Sequence, residues 1–326
     1  MLLSAATRLT AFVLAIIGTP LYAQQDSASW PPRNVRLVVP FQAGSTPDMV
    51  GRLVADSLQA RHPGTTVIVE NKPGASGNTG TDAVAKAPAD GSVIGISLGG
   101  PLATNTLLFT KLPYDPERDI APVTLLTQLP NVLAVPSSLG VRGVADFLVR
   151  LKAGGSFAYA SIGAGSLSQL CMEAIAQRAG ASMVHVPYPG SPAAVTALIR
   201  GDVQVACLPA VSVTSQLSSG ALTILAVTTT ERSPFLPDVP TLIESGIDVQ
   251  SDAWNALIAP GGIPPAIIDR INVEVRLVLS EPAVADKLKA QLMTPAPTTP
   301  EALRKKIADE KITWTNVIRA AKIRAD

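Results

Sequence analysis

The chain has 326 residues, 47% of them hydrophobic and 16% charged, with a formal net charge of +1 at pH 7. Such a length suggests about two domains, and such a composition supplies a large core and excludes a disordered chain. Near-neutral charge argues against a nucleic-acid partner, and two histidines with two unpaired-spacing cysteines give no support to a metal site.

Residues 1–23 carry one charge, Arg8, before the apolar run Leu9–Gly18, the helix breaker Pro20 and the small Ala23. This pattern predicts a secretory signal peptide, because the run is too short to span a bilayer. Without it, 25 basic and 25 acidic residues remain. No other stretch is long and apolar enough for a membrane span, so the expected mature protein is soluble and exported. Export permits a disulfide between Cys171 and Cys207, but the apolar surroundings of both favour buried free thiols.

Val35–Val39 is β-branched and continuous, as a strand buried on both faces should be. Gly44-Ser45-Thr46-Pro47-Asp48 then starts a helix, with hydroxyl caps, an early proline and an acid in the first turn. Val67–Val69 reads as the next strand, Asn71–Gly80 as a loop and Thr81–Ala87 as a short helix. Val93–Ser97 is a third strand, followed by a loop and a helix near Asn105. Val123–Thr127 and Val132–Val135 are strands broken at Leu129-Pro130-Asn131, the expected first crossing between lobes. A second series follows: helix Val144–Leu151, strand Phe157–Ala160, loop Ser161–Gly165 and helix Ser166–Ala179. It continues with strand Met183–Val186, loop Tyr188–Pro192, helix Ala193–Arg200, strand Val203–Leu208, helix Val211–Leu217 and strand Leu225–Thr228. Ser233–Thr241, with three prolines, reads as extended, and Asp252–Ile258 as a return strand. Pro264–Leu279, Pro282–Gln291 and Pro300–Ile318 are helices opened by proline. Repeated βα units with two crossings predict a two-lobed α/β protein with its cleft between the lobes.

Motifs of catalysis are absent from this reading: no G-x-S-x-G elbow, no Walker A loop and no H-E-x-x-H. Gly163-Ala164-Gly165-Ser166 approaches a dinucleotide fingerprint. Its third glycine position is Ser168, however, and no acid ends the next strand, so nicotinamide cofactors are rejected. His62 and His185 read as structural. The loops 40–51, 73–85, 97–110, 161–177 and 186–199 contain no Lys or Arg, yet Ser, Thr, Asn and Gly crowd their helix starts. Free N–H groups and the positive end of a helix dipole can hold an anion there without a cationic side chain. For one such loop, capping its own helix is the simpler role; five at strand ends point to an anion site. Asp48 either orients the Gly44–Pro47 loop or meets a ligand, and Tyr188 and Trp254 either line the cleft or fill the core.

Several stretches resemble one family closely: VRLVVPFQAGSTPD, VIVENKPGASGNTG, Ala89-Asp90-Gly91, YASIGAGS, HVPYPGSPAAVTALIRGDV, LAVTTTERSPFLPDVPTLIESG and the segment from Trp254 through APGGIPPAIIDRIN. These resemble the Bug-type receptors, periplasmic substrate-binding proteins of tripartite tricarboxylate transporters, over nearly the whole chain. The resemblance implies a type II periplasmic-binding-protein fold, each lobe a mainly parallel sheet flanked by helices. Lobe 1 would be residues 31–131 plus 253–326, and lobe 2 the inserted residues 132–252. It implies a monomeric receptor with no catalytic residues, cofactor or metal, which binds a small carboxylate and delivers it to membrane permease subunits. On lobe 1 the ligand-binding candidates are Phe41, Gly44, Ser45, Thr46, Asp48, Ser76, Gly77, Asn78, Thr104 and Trp254. On lobe 2 they are Ser161, Gly165, Ser166, Tyr188 and Pro209. The chain departs from the family at Ser45 and Ser76, where glycine is usual, and at Gln204, where an acid commonly follows Gly-x-Val. A carboxylate sensor docking on a signalling protein shares the same binding chemistry, and an exported α/β hydrolase is disfavoured by the missing elbow.

Overall fold

A computed structural model describes residues 30–154 and 157–325. The expected signal peptide lies outside the described residues.

Eleven strands are described: β1 (Asn34–Val39), β2 (Thr66–Asn71), β3 (Val93–Ser97), β4 (Ile120–Leu129), β5 (Asn131–Pro136), β6 (Ala158–Ser161), β7 (Val184–Pro187), β8 (Val205–Pro209), β9 (Leu222–Val227), β10 (Ala253–Pro260) and β11 (Thr294–Pro295). They form two sheets, ordered β11-β4-β10-β3-β1-β2 and β7-β6-β8-β5-β9. In the first, β2, β1 and β3 are parallel, while β10 runs antiparallel to both β3 and β4. The second repeats the plan: β7, β6 and β8 are parallel, and β5 runs antiparallel to β8 and β9. Strands such as β3, with every residue buried, carry apolar side chains on both faces because helices cover both faces.

The helices are α1 (Thr46–Arg61), α2 (Asn78–Ala85), α3 (Asn105–Leu108), α4 (Val144–Lys152), α5 (Leu167–Ala179), α6 (Ser191–Arg200), α7 (Ala210–Thr214), α8 (Pro265–Leu279), α9 (Pro282–Lys289) and α10 (Pro300–Ala321). Proline stands in the first turn of α1, α6, α8, α9 and α10. Its fixed φ suits that position and its missing N–H costs nothing there.

Only Pro130 separates β4 in one sheet from β5 in the other. The return crossing is fastened to this one. The Ser251 carbonyl accepts from Asn131 Nδ2 at 2.8 Å and from Thr228 Oγ1 at 2.9 Å, and Ser251 N donates to the Thr228 carbonyl at 3.0 Å. Helix α10 serves both halves: Leu303 packs in the core beneath the first sheet, Trp314 and Ile318 in the core of the second.

Three local expectations change. The second helix begins at Asn78 rather than Thr81, because Gly77 at φ +89° turns the chain directly into it. Ser233–Thr241 is not extended; it runs through turns closed by Leu236 N to the Ser233 carbonyl and Val239 N to the Leu236 carbonyl. Gly100–Thr104 is a π-helical turn and β11 a two-residue strand, neither expected from periodicity. Cys171 and Cys207 are free and buried.

Candidate functional site

The loops that follow β1, β2 and β3 share one edge of the first sheet, and side chains tie them together. Asp48, 2% exposed, accepts from Gly44 N (2.8 Å) and Arg52 Nε (2.9 Å) through Oδ2, and from Asn71 Nδ2 (2.8 Å) through Oδ1. Burial works against its charge, but those bonds and the Arg52 cation outweigh it and hold the carboxyl below its ordinary value. Asp48 therefore braces the Gly44 turn, which needs φ +80°, and has its oxygens engaged by the protein. Asn71 Nδ2 also reaches the Phe41 carbonyl at 3.0 Å, joining the first loop to the end of β2.

Behind this lies a second knot. Asn78 Oδ1 accepts from Asn105 Nδ2 (2.6 Å), and the buried Tyr114 hydroxyl lies 3.0 Å from Asn78 Oδ1 and 2.8 Å from the Pro101 carbonyl, sharing its one hydrogen between the two acceptors. Gly77 is packed so closely that a Cβ there would stand 2.8 Å from Pro101 Cγ and 3.1 Å from Phe41 Cε2. Phe41, Gly77 and Asn78 thus meet in space, and Thr104, 3% exposed, precedes Asn105 in the adjoining turn.

The two loop starts differ. Ser45 caps α1 with φ −71° and ψ 161°, ordinary extended values, so serine replaces glycine there without backbone cost. Its hydroxyl is buried and has no hydrogen-bond partner, and Thr46 and Asp48 follow in the first turn, whose N–H groups lack intrahelical acceptors. Ser76 adopts φ +55° and Ala75 φ +46°, left-handed values that a side chain resists. A short 3₁₀ turn there consumes its own donors: Gly77 N and Thr79 N bond the Gly74 carbonyl, and Asn78 N bonds that of Ala75. Ser76 and Thr79 are the exposed hydroxyl residues of this turn.

On the second sheet, Ser161 ends β6 fully buried. Its hydroxyl contacts His185 Nε2 at 2.6 Å, the Gly163 carbonyl at 3.0 Å and Gly163 N at 3.2 Å. His185 stacks on Tyr159, and burial lowers its pKa, favouring the neutral ring. Ser166 caps α5 by accepting from Gln169 N, while Gln169 Oε1 accepts from Gly165 N at 2.7 Å. Tyr188 N donates to the Ser161 carbonyl at 3.0 Å, and its ring packs against the core under α6. Pro209 ends β8 opposite Asn131.

Trp254 fills the core behind the loop that follows β3. It is 2% exposed in the core beside α10, its indole N–H donates to Glu310, and Lys306 Nζ lies 5.6 Å above the ring. Composition and motif reading missed Asn71, Asn105, Tyr114 and Gln169, which hold the loops in place. Asn71 carried the one usable signal, a polar residue closing a β-branched strand.

The profile of the family described as "Tripartite tricarboxylate transporter family receptor" matches residues 50–323. The chain is 35% identical to protein BugT of Bordetella pertussis, across 96% of this chain and 97% of that protein. Among solved structures it is similar to Rpa4515 of R. palustris with adipate, with a TM-score of 0.81 and 33% identity over 91% of this chain and 99% of that one. It is also similar to MatC of Rhodopseudomonas palustris with bound malate, with a TM-score of 0.77 and 29% identity over 89% of this chain and 100% of the other. The twin sheets flanked by helices and these structural matches define a two-lobed solute-binding protein of the type II class. The chain belongs to the receptor family of tripartite tricarboxylate transporters.

Proposed function

We propose that this chain is a periplasmic, monomeric, non-catalytic receptor. It captures a small carboxylate between residues 31–131 with 253–326 on one side and residues 132–252 on the other, then delivers it to permease subunits in the membrane. The observation that carries the reading is the buried, unpartnered Ser45 hydroxyl at the head of α1, above a turn that Asp48 and Asn71 hold fixed. A hydroxyl donor and the free N–H groups of a first turn suit a carboxylate oxygen. Ser76, exposed on the neighbouring loop, supplies a further hydroxyl. Asp48, Asn78, Ser161 and Ser166 act as braces for these loops in this reading, since their side chains already bond to protein. The relatives with adipate and malate support a dicarboxylate as the first ligand to try.

A thermal-shift screen of the chain without residues 1–23 tests this against mono-, di- and tricarboxylates and neutral sugars. Ligand at about 100 times its Kd should add about 2.7 kcal/mol of stability. A response to sugars with none to any carboxylate sinks the reading.

A further inference from the structure

A cavity of about 340 Å³ lies between α10, the start of α5 and the second crossing. Ser251 and Asp252 line it from the crossing, Lys306 and Glu310 from α10, and Leu167 and Trp314 give it an apolar wall. Its charges do not balance. Lys305 pairs with Asp309 at 2.6 Å, which leaves Lys306 facing both Asp252 and Glu310.

Two polar atoms of residues that line the cavity lack partners. Ser251 is 2% exposed and its backbone is tied to Thr228 and Asn131, yet its hydroxyl makes no hydrogen bond; Asp252 Oδ1 is likewise buried and unpaired. Buried polar atoms of this kind call for a partner. Among the described residues no group of three or more His, Cys, Asp or Glu is placed to hold a metal ion. Carboxylate and hydroxyl acceptors beside an apolar wall suit instead an ammonium group, which offers three donors and one charge.

We propose that this cavity is a second binding site, separate from the carboxylate site, for a primary ammonium ion bearing a short apolar tail. The ammonium donates to Asp252 Oδ1 and Ser251 Oγ and adds a second cation beside Lys306 for the two acids, while Leu167 and Trp314 cover the tail. The surrounding groups set its pH dependence. Asp252 faces Gln250, Lys306, Glu310 and the thiol of Cys207, and Glu310 faces Trp254, Trp314, Lys306 and Asp252. Burial raises Asp252 to about 6 and Glu310 to about 7. An alkylammonium stays charged in this range, as lysine does. Binding therefore tightens as pH rises and both acids ionise.

Calorimetric titration of the chain without residues 1–23 with n-butylammonium tests the site, with n-butanol and butyrate as controls. Saturable binding of butylammonium alone is expected at pH 8, about tenfold weaker at pH 5.5 and about tenfold weaker in Asp252→Asn and in Ser251→Ala. A melting transition no lower than that of the parent chain separates lost binding from lost folding in the variants, and Ser251→Ala, which keeps every charge, serves if Asp252→Asn does not fold. Absence of saturable binding at pH 8, equal binding of butanol, or affinity unchanged in both variants overturns the proposal.

Discussion

Asp48 and Asp252 are both aspartates withdrawn from water, and their surroundings treat them oppositely. At the head of α1, three donors converge on Asp48 and its carboxyl is held below the ordinary value. At the second crossing, Asp252 receives one hydrogen bond, from Gln250, keeps an unpaired oxygen, and is pushed up to about 6. Burial disfavours charge in both places; the number of donors decides which aspartate stays ionised. A saturated carboxylate holds a shape, whereas a short-handed one has capacity to spare.

The largest expected effect comes from Asp48→Ala. It leaves the Gly44 N–H, Arg52 and Asn71 without their common acceptor, and should cost about 2–4 kcal/mol in denaturant unfolding. A loss under about 0.5 kcal/mol would mean that the Gly44 turn holds without its brace. Asp252→Asn should act with the opposite sign. The folded pKa of Asp252, about 6, exceeds its ordinary 3.8, so its contribution is full below 3.8 and is lost as pH rises through 6. Removing the charge should stabilise the chain by about 1 kcal/mol at pH 8 and leave it nearly unchanged at pH 4. Asp48 contributes the reverse slope, with stability present above the ordinary carboxylate range and lost as pH falls below it. Unfolding curves from pH 3 to pH 8 on both variants would show whether the two slopes belong to these two residues. Ser76→Gly should give the smallest change, a gain of about 0.5 kcal/mol, as left-handed strain is relieved and unfolded-state entropy offsets part of it. A loss of stability there would mean that the serine hydroxyl supports its loop.

Much of the frame was readable from sequence. β3 was expected at Val93–Ser97 and occupies those residues, because an apolar β-branched run between loops has few alternatives. The proline-led helices α8, α9 and α10 start within one residue of expectation, since proline restricts where a helix can begin. The helix start at Asn78 was not readable, because it depends on φ +89° at Gly77 after two left-handed residues that are not glycine. The long-range side-chain pairs were hidden for another reason. Asp48 with Asn71, Asn78 with Asn105, Ser161 with His185 and Trp254 with Glu310 are pairs 23, 27, 24 and 56 residues apart in sequence. Strand order and register bring them together, and periodicity within one segment carries no trace of either. Trp254 shows the limit from the other side: the sequence offered cleft or core, and its burial beside α10 is a fact of tertiary packing.

Helix α10 sets a mechanical condition on the whole molecule. Its 22 residues reach from the core under the first sheet to that of the second, and the tail beyond it bonds back to α3 through Ala325 N and the Leu108 carbonyl. A helix of that length, about 33 Å, does not stretch without breaking its ladder of hydrogen bonds. It is a tie-rod across the joint. Any movement that separates the two halves has to pull either Leu303 or Trp314 and Ile318 out of its core.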